Sequence, residues 1–279
     1  MTGLVQALNR LLTGAFDLLF RPLSLLGPAL SLFLFSAATG LLMVWIFGRV
    51  SDQEKIRRTK DRIQGNLIAV RLFQNSAGVF LRTQGRLFVD TLAYMGLSLK
   101  PMLVMIVPVF LILIQLNGRY GIRPLEVGES ALVEVTVGRS STLEGDTPAR
   151  LEAGAGVTVE TPPVRIPSAG EIVWRVRAAS EGRHVLTVQV GGRQVTKLLV
   201  AGGEPRLLTA ARTDGGIVGM LLNPGEPPLD PSTGLESVSI GYPAAGISLL
   251  GWNIHWLICF FVLSIAAGYL LKGVLGVEV

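Results

Sequence analysis

The sequence predicts an α-helical membrane protein, three spans plus a cytoplasmic helical hairpin, with an inserted all-β, immunoglobulin-like sandwich domain. Three observations lead there. Charged residues make up only 16% of the 279, against about 25% in a soluble domain, and the deficit sits in three apolar stretches. Between the first two stretches lie ten basic residues against four acids. Between the last two, the hydrophobic period changes to two.

Residues 1–27 read as an interfacial amphipathic helix. Leu4, Leu8, Leu11, Leu12, Ala15 and Leu19 fall on one side, with Gln6, Asn9, Arg10, Thr13 and Asp17 opposite, the pattern of a helix lying in a headgroup layer. Pro22 and Pro28 punctuate its end. The first span, 28–48, is uncharged; at ~1.5 Å per residue it covers about 30 Å, a bilayer core. Its apolar run is longer than a signal-peptide core and its positive charges follow it, so it reads as retained.

Residues 49–95 form the predicted cytoplasmic hairpin. Ile56, Ile63, Leu67 and Val70 share one helical face, Ser51 or Asp52 caps the start, and Glu54 sits in the first turn. Asn75 to Gly78 is a turn, and the second arm offers Val79, Leu87, Leu92, Met95 and Leu99 for contact before running straight into the second span. That span, 96–117, has Pro101 in its first turn and Pro108 inside, where a kink is predicted. The six-charge excess beside two membrane ends places the hairpin in the cytoplasm. The N-terminus and the long connection are then extracytoplasmic, and the C-terminus cytoplasmic. Residues 119–250 agree, with twelve basic and fourteen acidic residues.

Residues 118–203 carry the sandwich. Alternation over 131–137, 157–160, 171–176, 185–190 and 195–200 marks strands, separated by turns such as Glu144-Gly145-Asp146 and Gly191-Gly192. The single cysteine, Cys259, forbids an intrachain disulfide, which leaves Trp174 as the large core residue. Residues 204–250 read as a linker, extended through Pro224 to Pro231, with one more strand at Leu235 to Tyr242. Residues 251–279 hold the third span, Trp252 to Leu271, and a short tail.

No nucleophile, phosphate loop or metal-ligand spacing is visible. His184 reads as a strand-face residue and His255 as an interfacial one. The chain is therefore read as a non-enzyme with no catalytic residue, no metal, no cofactor and no specific nucleic acid.

The order of span, basic hairpin, span, external connection and span resembles the YidC-like membrane-protein insertase superfamily. The reduced three-span form of that family includes the archaeal YidC-like proteins and the insertase subunit of the endoplasmic-reticulum membrane complex. Ser98-Leu99-Lys100-Pro101-Met102 through Pro108 resembles the opening of the family's second conserved helix. Gly251-Trp252 through Ser264 to Lys272-Gly273-Val274-Leu275-Gly276 is similar to its last span. Coverage is about half the chain, and two features depart from the family. The external connection is long, and no span has a basic residue at its centre.

The resemblance implies an insertase-like or chaperone-like protein of a bacterial inner membrane, assisting insertion or assembly of nascent membrane proteins. Ser36, Thr39, Gln115, Asn253 and Ser264 are the candidates to line a groove, with Arg49 and Lys100 at its mouth. Lys55, Arg57, Arg58, Lys60, Arg62, Arg71, Arg82 and Arg86 form a basic cytoplasmic surface. A plainer reading stands beside each: the small polar residues let helices pack, and the basic ones set orientation and attract anionic headgroups. The alternative function is a non-catalytic scaffold subunit of a larger membrane complex, docking a partner through the β-domain.

Overall fold

A computed structural model of the chain describes residues 2–23, 26–72, 77–138, 147–203, 207–214, 216–249 and 252–277. The chain divides into two compact units, Met1–Ala29 with Leu111–Trp256, and Leu30–Phe110 with Leu257–Val279.

The first unit is built on an antiparallel two-sheet sandwich. Its strands are β1 (Ser130–Val137), β2 (Ala149–Ala153), β3 (Val157–Val159), β4 (Val164–Ile166), β5 (Glu171–Ala178), β6 (Gly182–Val190), β7 (Arg193–Ala201), β8 (Ala211–Thr213) and β9 (Leu235–Ile240). One sheet runs β3-β5-β1-β9-β8, with β4 also paired to β5; the other runs β2-β6-β7. The alternation that predicts the strands is the alternation that fills the core. Val133 and Val135 of β1, Ile172, Trp174 and Val176 of β5, and Leu186 and Val188 of β6 all point inward. Trp174 is 1% exposed, as expected of the one large core side chain. The β6–β7 turn falls on Gly191 and Gly192, whose φ of 56° and 78° suit glycine. The turn read at 144–146 lies outside the described residues.

The stretch read as a linker, 204–250, is instead part of this unit. Leu235, Val238 and Ile240 of β9 are buried, and β9 pairs with the middle of the domain, Glu134 opposite Ser239 and Val135 opposite Val238. The proline-rich piece before it is a strap. Arg212 donates to the carbonyls of Pro227 (2.7 Å) and Pro228 (3.3 Å) as well as Thr196 (2.6 Å), and Leu229 enters the core. Lys197 fastens it from β7: its side chain is 0% exposed, its Nζ donates to the Thr209 carbonyl at 2.7 Å, and it pairs with Glu226. Burial pulls the Lys197 ammonium below the usual lysine range, against the opposing pull of Glu226.

Helix α1 (Thr2–Leu23), the end of α4 from Leu111, a π-helical turn at Asn117–Gly121, and α5 (Ile217–Leu222) complete the unit. The face of α1 turned to the protein is mixed: Phe16 and Asn9 are buried, Leu12, Thr13 and Phe20 are half-buried, and Arg10 and Asp17 of the polar side are exposed. Asn9, 8% exposed, donates to the Met220 carbonyl at 2.7 Å; Gln115 donates to Thr13 at 3.2 Å; and Arg119 pairs with Asp17 while lying over Phe20 at 4.9 Å. Leu8, Leu11, Leu18 and Leu19, on the opposite face, are exposed.

The second unit is helical: α2 (Pro28–Val50), α3 (Gln53–Leu72), α4 (Ala77–Leu116) and α6 (Trp256–Leu271). Asp52 accepts from the Lys55 amide at 3.1 Å and caps α3, while the Ser51 hydroxyl closes α2 on the Phe47 carbonyl at 2.6 Å. Helix α4 is continuous for 40 residues through Pro101 and Pro108. Pro28–Val50 and Phe80–Gly121 are long and apolar enough to cross a membrane; Trp256–Leu271 is a shorter apolar helix.

The third apolar helix therefore starts later than predicted. Trp252–Ile254 is a strand, β11, paired with β10 (Ile247–Leu249), so its amides are met by a ladder before the helix begins. At ~1.5 Å per residue, α6 alone covers about 24 Å, short of a ~30 Å core.

Candidate functional site

Gln115 and Asn253 belong to the first unit, Ser36, Thr39, Arg49, Lys100 and Ser264 to the second. Gln115 is engaged with Thr13 and with Arg119, whose Nη1 donates to its side-chain oxygen at 2.8 Å. Asn253 lies in the β10–β11 hairpin.

Thr39 and Ser264 line one crevice, and Ser36 is buried one turn before Thr39 on α2. Each hydroxyl donates to a carbonyl of its own helix, Ser36 to Leu32 at 2.7 Å, Thr39 to Phe35 at 2.8 Å and Ser264 to Phe261 at 3.2 Å. Their polarity is consumed locally. What brings the helices close is glycine: a Cβ on Gly40 would stand 2.1 Å from the Ser264 carbonyl oxygen, and one on Gly268 would stand 3.3 Å from that of Gly40. This seam between α2 and α6 is a close small-residue helix contact. Beside it a crevice of about 280 Å³ is lined by Thr39, Ser264 and Lys272 together with Met43, Val109, Phe261, Ile265 and Tyr269, and most of its wall is apolar. Arg49 stacks over Trp45 at 5.2 Å and Lys100 is exposed.

The basic arm is better organised than the groove. Helices α3 and α4 run antiparallel, pinned where Asp90 accepts from Asn66 at 2.9 Å and pairs with Arg62 at 3.5 Å. The facing surface differs from the predicted one. Leu92, Met95 and Leu99 are 52%, 62% and 55% exposed, because the Asp90 contacts turn Ala93 and Leu97 toward α3 instead. Between the arms is an open cleft of about 700 Å³ walled by Lys55, Arg58, Arg62, Ala93 and Leu97. Lys55 pairs with Asp52 at 2.8 Å and Arg58 with Glu54. These pairs are exposed and weak. Lys60 is half-buried, and Arg57, Arg71, Arg82 and Arg86 are exposed. Of the turn read at 75–78, Asn75 and Ser76 lie outside the described residues, while Ala77 and Gly78 already belong to helix α4; the Val79 side chain is also outside them.

No protein-family model matches the chain, and no curated protein does. Among solved structures, domains 4 and 5 of the S-layer protein SbsC match 30% of this chain and 48% of that one, at 16% identity and a TM-score of 0.23. The match thus spans about half of that chain, and a likeness at this score carries no argument.

The feature that sequence reading missed is a stripe on α4. Phe88, Leu92, Met95, Leu99, Met102, Ile106 and Phe110 are all exposed, and steps of three and four place them on one helical face. Val89, Leu103 and Val107 widen it. The signal was in the sequence. Assigning Leu92, Met95 and Leu99 to the hairpin interface hid it.

Among the described residues no cluster of three or more histidine, cysteine or acidic side chains is placed to hold a metal. His184 Nε2 hydrogen-bonds the Ser180 carbonyl at 2.9 Å.

Proposed function

We propose that the chain is a three-span, insertase-like or chaperone-like protein of a bacterial inner membrane, related in organisation to the reduced YidC-like insertases. The α3–α4 arm lies in the cytoplasm, and the sandwich, immunoglobulin-like in this reading, lies outside. The α4 stripe carries the proposal. It lies on a different face of α4 from Ala93 and Leu97, which wall the basic cleft, and runs without a break past Lys100 into the long apolar run. Exposed apolar surface of that extent marks an interaction site. The part before Lys100 stands beyond the hydrocarbon, where lipid does not cover it. A hydrophobic client segment is shielded there from water, with cationic side chains at hand for the anionic surface, and then follows the same helix face into the acyl layer. No catalytic step is assigned.

A photo-crosslinker at Leu92 or Met95 tests this. Nascent membrane proteins are the expected products, with little from the same probe at Gln84; products restricted to one fixed partner refute it. The dry glycine seam between α2 and α6 favours a second reading, a scaffold subunit whose spans are static supports and whose β-domain docks a partner. Co-purification of a stoichiometric complex, with no client crosslinks, selects it.

A further inference from the structure

On the flank of α1, within the first unit, a polar cleft of about 200 Å³ lies between Gln6 and Arg10 on one side and Arg212, Asn223, Gly225 and Glu226 on the other. That is room for about six waters. Its charge is unbalanced. The donors of Arg212 go to neutral carbonyls of Thr196, Pro227 and Pro228, which leave the guanidinium charge in place. The Glu226 carboxylate is spent on Lys197 and on the Leu198 amide at 3.2 Å. Arg10 is exposed and makes no hydrogen bond or ion pair among the described residues. Two guanidinium groups thus border one cleft, and Glu226, the only carboxylate lining it among the described residues, is paired with a buried lysine.

We propose that this cleft binds a phosphate-bearing headgroup. Arg10, with its donors free among the described residues, suits phosphate oxygens by charge and by fork geometry, and Arg212, whose donors are held by carbonyls, adds its charge. The exposed leucines of α1, an adjoining face of the same helix, point to a membrane phosphodiester as the source. That choice of source rests on the membrane placement proposed above; the phosphate chemistry does not.

The full chain reconstituted in nanodiscs of phosphatidylcholine, with or without a minor fraction of phosphatidylglycerol, provides the test, with retained lipid read by native mass spectrometry. The wild type retains phosphatidylglycerol preferentially. Arg10→Gln lowers that preference about fivefold and Arg10→Glu about thirtyfold, at roughly one factor of five per unit charge. Equal retention by wild type and Arg10→Glu overturns the site. Inorganic phosphate that binds in pure phosphatidylcholine discs and is not displaced by phosphatidylglycerol overturns the lipid source. A nitroxide at Leu11→Cys, in a Cys259→Ala background, reads the placement of α1 separately. A label in water with Arg10-dependent phosphate binding overturns the membrane placement and the lipid source together. A label among acyl chains with charge-insensitive retention overturns the site alone.

Discussion

Gly40 and Tyr242 show how much a single side chain decides in each unit. Alanine at Gly40 places a Cβ against the Ser264 carbonyl oxygen, a backbone atom that cannot step aside. Overpacking of this kind costs about 1–3 kcal/mol, so Gly40→Ala lowers the unfolding midpoint in a mixed-micelle titration. Gly268→Ala does so less, since it meets chiefly a Val44 methyl at 3.1 Å; equal or negligible effects contradict the seam. The Tyr242 hydroxyl accepts from the Val200 amide at 2.9 Å, and burial pushes its pKa up to about 12 from 10.0. The folded state keeps a proton that the unfolded state has released, so stability present below pH 10 is lost as pH rises toward 12. The loss is about 2–3 kcal/mol over two pH units. Lys197 acts with the opposite sign below 10.5, because its folded pKa is lowered. The difference between wild type and Tyr242→Phe therefore isolates the phenol. Parallel denaturation curves across pH 10–12 contradict the assignment.

At the scale of elements, legibility followed periodicity. The five alternating stretches became β1, β3, β5, β6 and β7 because a half-buried strand writes its two faces into the sequence. β2 has one buried inward residue, Leu151, and the three residues of β4 and of β8 are exposed or half-buried throughout, so neither sets a buried position against exposed ones. The 204–231 strap was unreadable for another reason: Lys197 with Glu226, and Arg212 with carbonyls, are long-range partners that leave no local pattern. Helix α1 was legible as amphipathic, but its docked stripe straddles the two predicted faces, Phe16 and Leu12 lying beside Asn9 and Thr13. Asp17→Asn tests that docking. It leaves the Arg119 guanidinium, 3% exposed, without its carboxylate; because Asp17 is half in water the cost is about 1–2 kcal/mol. Faster amide exchange confined to α1 is the expected result. Leu11→Gln on the free face leaves exchange in detergent unchanged, and the reverse order inverts the assigned face.

At the scale of the molecule, every functional statement depends on which side the basic arm occupies. Arg57, Arg71 and Arg86 form no ion pair among the described residues, so replacing them with glutamine leaves the α3–α4 contacts through Asp90 intact. The substitution lowers the positive excess between Arg49 and Lys100 from six to three. Positive charge close to membrane ends holds a connection in the cytoplasm, so this variant should populate both orientations where the wild type holds one. Gln84→Cys in the arm and Gln194→Cys at the exposed start of β7, each in a Cys259→Ala background, report the two sides to a membrane-impermeant thiol reagent in intact cells. The wild-type background labels at 194 and not at 84, and the triple variant adds labelling at 84. Labelling of the wild-type arm from outside puts the α4 stripe and the basic cleft on the side where no nascent chain arrives. The client-guiding role then fails, while the sandwich, the strap and the glycine seam stand as described.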